Sequence, residues 1–164
     1  MIRPAGEGDV SAILAITNDA ILNSTAMYSY EPLTLAEQAA WLADKRAGGW
    51  PVLVADDGSG CLGFATFGPF RTRPAYARTV EHSVYVAGHA HGRGLGGLLM
   101  TALIEEAQRR GLHAMIGGVD SSNAGSLAFH AGLGFVEVGR MREVGWKFGR
   151  WLDLVFVEKL LEDQ

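Results

Sequence analysis

A glycine-rich segment between two regular patterns is the feature that most constrains how this chain can fold. Four of the six residues at 92–97 are glycine. Residues 79–86 before it alternate as a strand does, and the apolar residues after it recur at helical spacing until Gly111. A buried strand pattern follows at 113–119. Because a strand, a helix and a strand in succession form a parallel pair with a right-handed crossover, the sequence predicts one such unit in mid-chain.

The segments on either side of this unit predict the rest of the fold. A helix over 9–22 has Asp9 as its N-cap, and a second helix begins at a capping box of Thr34 and Glu37 and ends at 48–49. Further strands are indicated at 51–56, 61–68, 135–140 and 151–158, and a short helix at 123–132. The element order β-α-α-β-β-β-α-β-α-β-β predicts an α/β fold with a mixed, mostly antiparallel sheet.

Composition excludes several classes of protein. The 22 glycines have no period of three, which excludes collagen, and a hydrophobic share of 48% with a net charge of −4 excludes a disordered chain. The single cysteine, Cys61, cannot form an internal disulfide, which fits a reducing cytoplasm. We expect one domain over residues 1–164 without a metal. We also expect no nucleic-acid or membrane partner, because the chain has neither a lysine-rich stripe nor a run of about 20 apolar residues.

The glycine-rich segment is suited to bind an anion. Its backbone N–H groups can point outward unobstructed, and the start of the following helix adds partial positive charge. Gly92, Gly94 and Gly97 also satisfy the G-x-G-x-x-G dinucleotide fingerprint. That pattern should open the first βαβ unit and be followed by an acidic residue about 20 positions on, whereas here it lies in mid-chain and Asp120 is misplaced for that role. No Gly-Lys-Ser/Thr follows for a P-loop, so a phosphate or pyrophosphate is the predicted ligand.

Two motifs resemble those of the GCN5-related N-acetyltransferases, the GNAT family. Residues 91–96 (HGRGLG) resemble the Arg/Gln-x-x-Gly-x-Gly/Ala loop that holds the acetyl-CoA pyrophosphate, with His91 where the family usually has Arg or Gln. Residues 123–126 (NAGS) with 133–135 (LGF) resemble its Asn-x-x-Ser … Gly-Phe segment. The order of elements agrees over nearly the whole chain. The resemblance implies a GNAT fold with a splayed parallel strand pair, and acetyl-CoA as co-substrate.

Three further stretches resemble one branch of that family, the phosphinothricin and methionine sulfoximine acetyltransferases. They are residues 79–86 (TVEHSVYV), 129–130 (FH) and 145–153 (GWKFGRWLD). This resemblance implies transfer of acetyl to the α-amine of a small amino-acid analogue, of the phosphinothricin, methionine sulfoximine or methionine sulfone type. It also implies a role in detoxification or resistance, and a homodimer.

Glu81 is the candidate general base. Acetyl transfer needs a neutral amine, and because α-amino groups titrate near pH ~8, a carboxylate acting directly or through a water suffices. Strand alternation places Glu81 on one face with Thr79, Ser83 and Tyr85. A solvated strand residue is the alternative, but a carboxylate between valines in a central strand favours a catalytic role.

The resemblance implies which residues contact acetyl-CoA. The backbone of Val84, Tyr85 and Val86 would pair with the pantetheine arm as an extra strand, with one N–H group facing the developing oxyanion. A β-bulge, common at this point of the fold, would reverse the facing of Tyr85. Asn123 would contact the pantetheine, cap the next helix, or do both. The implied loop residues are Gly92, Arg93, Gly94, Leu95, Gly96 and Gly97.

His130 is the second candidate catalytic residue. It stands where much of the family has a tyrosine that protonates the departing thiolate, and an imidazole can do the same near neutral pH. A structural histidine is the alternative. Gly117 and Gly118 have no assigned role beyond close passage of the pantetheine or the substrate.

A basic loop is the predicted acceptor site. Three arginines occur between 71 and 78 in an otherwise acidic chain. Guanidinium groups bind carboxylates through two hydrogen bonds, so an amino acid with a free carboxylate would fit; a solvated surface is the alternative. The resemblance places Tyr28 as an aromatic wall where relatives usually carry Trp. The predicted acceptor-site residues are Tyr28, Arg71, Arg73, Pro74, Ala75 and Tyr76.

Two other functions stay open at this point. One is acetylation of a different amine, such as an aminoglycoside, a polyamine or a protein N-terminus; for cationic acceptors a carboxylate-lined pocket would be expected, whereas this loop is arginine-rich. The other is a CoA- or nucleotide-binding module without turnover, against which Glu81 and His130 both speak.

Overall fold

The element order of the structure is the one predicted. The computed structural model describes residues 1–161, so the last three residues of the predicted domain lie outside the described part. The strands and helices are, in chain order, β1 (Ile2–Pro4), α1 (Val10–Asn23), α2 (Leu35–Ala47), β2 (Val52–Asp56), β3 (Cys61–Pro69), β4 (Thr79–Val86), α3 (Leu95–Arg109), β5 (Ala114–Asp120), α4 (Ala124–Gly132), β6 (Val136–Lys147) and β7 (Arg150–Leu160).

The strands form one mixed sheet in the order β1-β2-β3-β4-β5-β7-β6. β4 and β5 are parallel, with α3 as their crossover, and the other neighbouring pairs are antiparallel. The last two strands run further than predicted, to a tight turn at Phe148 and Gly149, which have φ of 51° and 71°. The register of β6 shifts twice, which breaks the alternation from which strand length is judged.

Helices cover both faces of the sheet. Buried residues of α3 pack against one face, together with Val80 of β4 and Met115 of β5. Buried residues of α1 and α2 pack against Val54 and Phe64 on the other face. Among residues 1–161 no helix combines the length and apolarity needed to cross a bilayer.

The two predicted helix starts have different outcomes. The capping box of α2 is confirmed: the Thr34 hydroxyl accepts from the Glu37 N–H at 3.2 Å, and Glu37 accepts from the Thr34 N–H at 2.7 Å. Asp9 does stand before α1, but its side chain caps nothing there. Its carboxylate accepts instead from the Arg3 guanidinium at 2.8 Å and from the Gly6 N–H at 2.7 Å, because Arg3 offers a charged donor.

A buried lysine holds the segment between α1 and α2 against the last hairpin. Lys147, near the end of β6, donates from Nζ to the carbonyls of Ile21, Ser24 and Met27, at 2.6, 2.7 and 2.7 Å. The first of these lies in the last turn of α1, where carbonyls lack helical partners and a cation is favoured. The Tyr30 hydroxyl donates to the carbonyl of Trp146 in the same region. The last hairpin therefore helps to fix the α1–α2 loop.

We expect Lys147→Met to destabilise the protein by about 2–4 kcal/mol, because three carbonyls would lose their donor inside the protein. Urea unfolding followed by circular dichroism measures this loss. Arg142→Met, at an exposed position of the same strand, is the control and should change the free energy of unfolding by less than about 0.5 kcal/mol. Equal stabilities for the two variants would show that the Lys147 contacts contribute nothing.

Candidate active site

The main cleft of the molecule opens where β4 and β5 part. The two strands pair over three positions, from Thr79 with Ala114 to Glu81 with Ile116. Beyond these pairs they diverge, and a cleft of about 640 Å³ lies between them. Its walls come from the ends of both strands, from the glycine-rich segment and from α4. The lining includes Val84, Val86, Gly92, Gly96, Gly118, Asp120, Asn123, Ser126 and His130.

One edge of β4 faces this cleft without a strand partner. The Ala87 N–H donates to the Leu62 carbonyl at 2.8 Å, and the β3–β4 register runs without a shift from there to the start of β4. Because hydrogen-bonded and non-hydrogen-bonded pairs alternate in an antiparallel ladder, the N–H and C=O of Tyr85 point to β3, and those of Val84 and Val86 point to the cleft. The predicted pantetheine edge is thus formed by Val84 and Val86, with Tyr85 between them facing away.

The facing of Tyr85 follows simple alternation. No bulge occurs between β3 and β4, so Tyr85 stays on the same face as Glu81. Its ring packs on Phe64, 5.4 Å between centroids, among the residues under α1 and α2. Val84 and Val86 pack with the opposite core, under α3. The alternative of a reversed Tyr85 is therefore excluded.

The glycine-rich segment leads into α3 through two left-handed residues. Gly92 and Gly94 have φ of 77° and 74°, which other residues rarely adopt. Gly94 is the N-cap of α3 and offers no side chain to the first N–H groups of that helix. These groups have no intrahelical partner, so the loop and the helix start form a cradle for an anion.

Two side chains hold this loop in place. His91 Nε2 lies 2.9 Å from the carbonyl of Val86, an acceptor on the cleft edge of β4. Arg93 Nη2 donates to Asp57 Oδ2 at 2.8 Å, in the turn between β2 and β3. Hydrogen bonds from Ser59 and from Arg93 hold the pKa of Asp57 well below its ordinary value. In this arrangement the loop offers backbone to a ligand, and the Arg93 guanidinium serves as an anchor.

Asn123 and Asp120 form the far wall of the cleft. The Asn123 side chain accepts from the Ser126 N–H at 3.0 Å, so its role as N-cap of α4 is present. Asp120, which sequence reasoning did not assign to the site, is buried at the end of β5. Its Oδ2 accepts from the hydroxyl of Thr25 at 2.5 Å and of Ser122 at 2.7 Å. Asp120 thereby ties the α1–α2 loop to the cleft. In the sequence, the only sign of a role for Asp120 was its position at the C-terminal end of a predicted strand.

His130 forms a buried pair with His82. The two Nε2 atoms are 3.0 Å apart. His82 Nδ1 lies 2.9 Å from the carbonyl of Ile116, and His130 Nδ1 lies 2.7 Å from the carbonyl of Ser126. Burial lowers the pKa of both imidazoles, that of His82 to about 3 with the neighbouring His130 as a further cause. The sequence alone assigned His82 no role in the site.

Glu81 lies on the other face of β4, as alternation predicts. Its Oε1 would be 3.9 Å from a Cβ built on Gly118, so that glycine leaves space beside the carboxylate. The Glu81 side chain is exposed, but partial desolvation of its carboxyl raises the pKa, and the positive charge of Arg71 opposes this. A carboxylate of raised pKa next to open space is suited to accept a proton.

The predicted acceptor residues reach this region from two loops. Arg71 stacks its guanidinium on the ring of Phe70 at 5.2 Å, and Tyr76 packs edge-on to the same ring at 6.0 Å. Tyr28 approaches from the α1–α2 loop and packs against Gly145, where a Cβ would be 2.7 Å from its ring. Arg73, Pro74 and Ala75 are exposed beside Tyr76, and no contact brings them to Glu81.

Comparison with known proteins agrees with this geometry. Residues 15–135 match the model of the acetyltransferase (GNAT) family. The chain belongs to the GNAT family. It is an acyltransferase with the α/β GNAT fold and a parallel β4–β5 pair. The predictions from the two motifs are therefore confirmed.

Individual GNAT relatives are similar to nearly the whole of this chain. A methionine sulfoximine/methionine sulfone acetyltransferase of Pseudomonas aeruginosa is 47% identical over 98% of this chain and 94% of its own. A Staphylococcus aureus N-acetyltransferase structure has a TM-score of 0.97 at 45% identity, covering 99% of this chain and 98% of that one. A Sinorhizobium meliloti phosphinothricin acetyltransferase, solved with acetyl-CoA, has a TM-score of 0.94 at 34% identity, covering 98% and 88%.

Acetyl-CoA is the co-substrate of this GNAT enzyme, and the cleft fits it. The exposed edge of Val84 and Val86 can pair with the amides of a pantetheine arm, and the start of α3 can take the pyrophosphate. Among residues 1–161 no cluster of three or more His, Cys, Asp or Glu side chains could hold a metal ion.

We expect Gly94→Ala to weaken acetyl-CoA binding about tenfold. An alanine at a φ of 74° costs about 1–2 kcal/mol and moves the N-cap of α3, which disorders the N–H cradle. Isothermal titration with CoA measures the affinity. Gly88→Ala is the matched control, since that glycine lies shortly before the loop with open space around it and an ordinary φ. Equal affinities for the two variants would contradict the assignment of the loop to the pyrophosphate.

Proposed function

We propose that this enzyme acetylates the α-amine of a small amino-acid analogue of the methionine sulfoximine, methionine sulfone or phosphinothricin type, and so detoxifies it. The observation that carries the proposal is that the positive charge of Arg71 acts on the Glu81 carboxylate. An amino acid can place its α-amine at the carboxylate and its α-carboxylate at the guanidinium. The names of the relatives at 47% and 34% identity support the same class of acceptor.

The residues divide the reaction between the two faces of β4. Acetyl-CoA supplies the activated acetyl group. Glu81 takes the proton of the amine, directly or through a water. The N–H of Val84 or Val86, on the cleft edge, stabilises the negative charge that develops on the thioester oxygen. His130, on the cleft side, returns a proton to the departing thiolate. Cofactor and acceptor thus meet across one strand.

An arginine-lined acceptor site disfavours cationic acceptors. Arg71 would repel an aminoglycoside or a polyamine, and it offers nothing to a neutral peptide N-terminus that lacks a nearby carboxylate. Turnover is the property that separates the enzyme from a CoA-binding module. Comparing the rates of acetylation of amino-acid acceptors and of cationic acceptors therefore decides the acceptor class.

We expect release of free CoA thiol when acetyl-CoA is mixed with methionine sulfone, methionine sulfoximine or phosphinothricin, and none above background with a polyamine or an aminoglycoside. Activity confined to the cationic acceptors or to peptides would overturn the substrate proposal.

Arg71→Gln should raise the KM for the amino acid about 10–100-fold. Arg73→Gln, also exposed but without contact to Glu81, should raise it much less.

We expect Glu81→Gln to lower kcat by about 10²–10⁴ with little change in acetyl-CoA affinity. A base acts in its deprotonated form, so wild-type activity falls as pH drops through the pKa of Glu81, which desolvation raises above its ordinary value. The variant should lack that acidic limb. Glu105→Gln, an exposed carboxylate of α3, is the control. An unchanged profile in Glu81→Gln would remove this residue from the mechanism.

The working form that we propose is a cytoplasmic homodimer, each chain one domain over residues 1–164, without nucleic-acid or membrane partners. Large apolar side chains lie exposed along β6, β7 and their turn, which supports burial by a second copy. They are Val136, Val138, Met141, Val144, Trp146, Phe148, Trp151 and Leu160.

We expect Val138→Arg to convert the dimer to a monomer, measured by light scattering after size exclusion. Glu137→Arg, at the exposed neighbouring position, is the control and should leave the mass unchanged. A wild-type protein that is monomeric at all concentrations would contradict the dimer.

A further inference from the structure

The position of the His82 ring is built into the sheet. A Cβ on Gly117 would stand 2.6 Å from Cε1 and 3.2 Å from Nε2 of that ring, so residue 117 of β5 has to be glycine for the ring to lie where it does. The φ of Gly117 is ordinary, so the backbone itself does not require glycine. This explains a glycine for which the sequence offered no firm role. The missing side chain leaves room for the histidine.

Three contacts of the pair need three protons. The carbonyls of Ile116 and Ser126 accept only, so each faces an Nδ1–H. The contact between the two Nε2 atoms at 3.0 Å needs one more proton between them. Two neutral rings carry two N–H protons in all, enough for two of the three hydrogen bonds. At the remaining contact two lone pairs would then face each other. All three hydrogen bonds form together only when the pair carries one positive charge.

No carboxylate neutralises that charge within the described residues. From β5, Asp120 is occupied by Thr25, Ser122 and Arg150. Glu81 of β4 lies on the opposite face of its strand. Glu158 of β7 pairs with Ile116, one position from the Val157 that packs beside Gly117, and so also faces away.

The remaining neighbours are aromatic or structural. Phe129 and Phe135 pack on the imidazoles with centroids 5.2–5.4 Å apart. Lys159 donates to the Leu133 carbonyl at 3.0 Å. Hydrogen-bond geometry therefore favours binding of the third proton, whereas burial of the positive charge disfavours it. The pair consequently gives this proton up easily.

We propose that His82 and His130 hold one proton in common and act as a single acid of the cleft, with His82 as the positioning residue. This rests on the proposed function only for the identity of the proton's acceptor. The carbon–sulfur bond of the thioester breaks with its electron pair staying on sulfur, and the proton on His130 Nδ1 passes to that sulfur. His130 then keeps the proton on Nε2, donated to His82, while His82 keeps its own on Nδ1, donated to Ile116. Both rings end neutral, and solvent restores the third proton.

The Ser126 hydroxyl marks where this proton leaves. Its Oγ lies 3.4 Å from His130 Nδ1, and Ser126 lines the cleft. His130 Nδ1 is the ring nitrogen on that side, since Nε2 is covered by His82. When the Nδ1 proton leaves, His130 ends neutral because the proton shared with His82 stays on its Nε2.

The proton count is tested on the free protein by ¹H–¹⁵N correlation spectra of the imidazole nitrogens during an acid titration. We expect the signals of His82 and His130 to shift together in one step, with a downfield N–H proton for the N–H···N bond. The exposed His89 and His113 serve as reference signals. Rings that titrate independently of each other, or that never gain a third proton before the protein unfolds, would overturn the proposal whatever the enzyme acetylates.

Variants connect the pair to catalysis. His82→Gln keeps an amide near His130 Nε2 but cannot share a proton, so we expect kcat to fall about 10–100-fold, the KM for acetyl-CoA to stay within about twofold, and the joint titration step to vanish. Gly117→Ala should displace the His82 ring and give the same pattern. Because this variant keeps the imidazole, it shows that the effect depends on the position of the ring and not only on the residue type at 82. His113→Gln is the control. A His82→Gln enzyme with wild-type kcat at all pH values would reduce the pair to packing.

If no acceptor is turned over by the wild-type enzyme while the joint titration is present, the proposed function fails and the proton-sharing pair stands. If acetylation proceeds normally and the rings titrate separately, the pair fails and the proposed function stands. The two results are therefore independent.

Discussion

The parting of β4 and β5 after three paired residues is the constraint on which the rest of the site depends. Parallel neighbours normally satisfy each other's backbone groups along their whole length. Here the backbone edge at Val84 and Val86 is left without a strand partner in a cleft lined by α4 and the start of α3. A sheet that stayed closed would bury that edge in hydrogen bonds. The open strand end is therefore what allows an extended cofactor arm to complete the sheet.

The same parting separates two kinds of chemistry. Side chains alternate along β4, so Glu81 and His82 are adjacent in sequence but lie on opposite faces of the strand. The carboxylate faces the arginine loop and the space beside Gly118, and the imidazole faces α4. The Glu81 carboxylate and the His82–His130 pair are thus kept apart, because the sheet itself stands between them.

Local rules predicted much of this from the sequence. The strand–helix–strand pattern, the Thr34–Glu37 box and the facing of Glu81 depend on neighbours in the chain, and the structure confirms them. What escaped depends on contacts between distant residues. Asp9 was assigned to capping but binds Arg3. Lys147 was assigned no contact, yet it donates to three carbonyls 120 to 126 positions away. Asp120 gave no signal beyond its place at a strand end. The roles of the individual site residues stay predictions.

Gly117 and His82 also have a consequence for how this part of the sheet can change during evolution. The ring and a side chain at 117 cannot occupy the same space, so a chain that keeps histidine at 82 has to keep glycine at 117. Loss of the imidazole would free position 117 to accept larger residues. The order of these two changes matters, because an alanine at 117 is obstructed while the ring remains, whereas the reverse order passes through a merely underpacked intermediate.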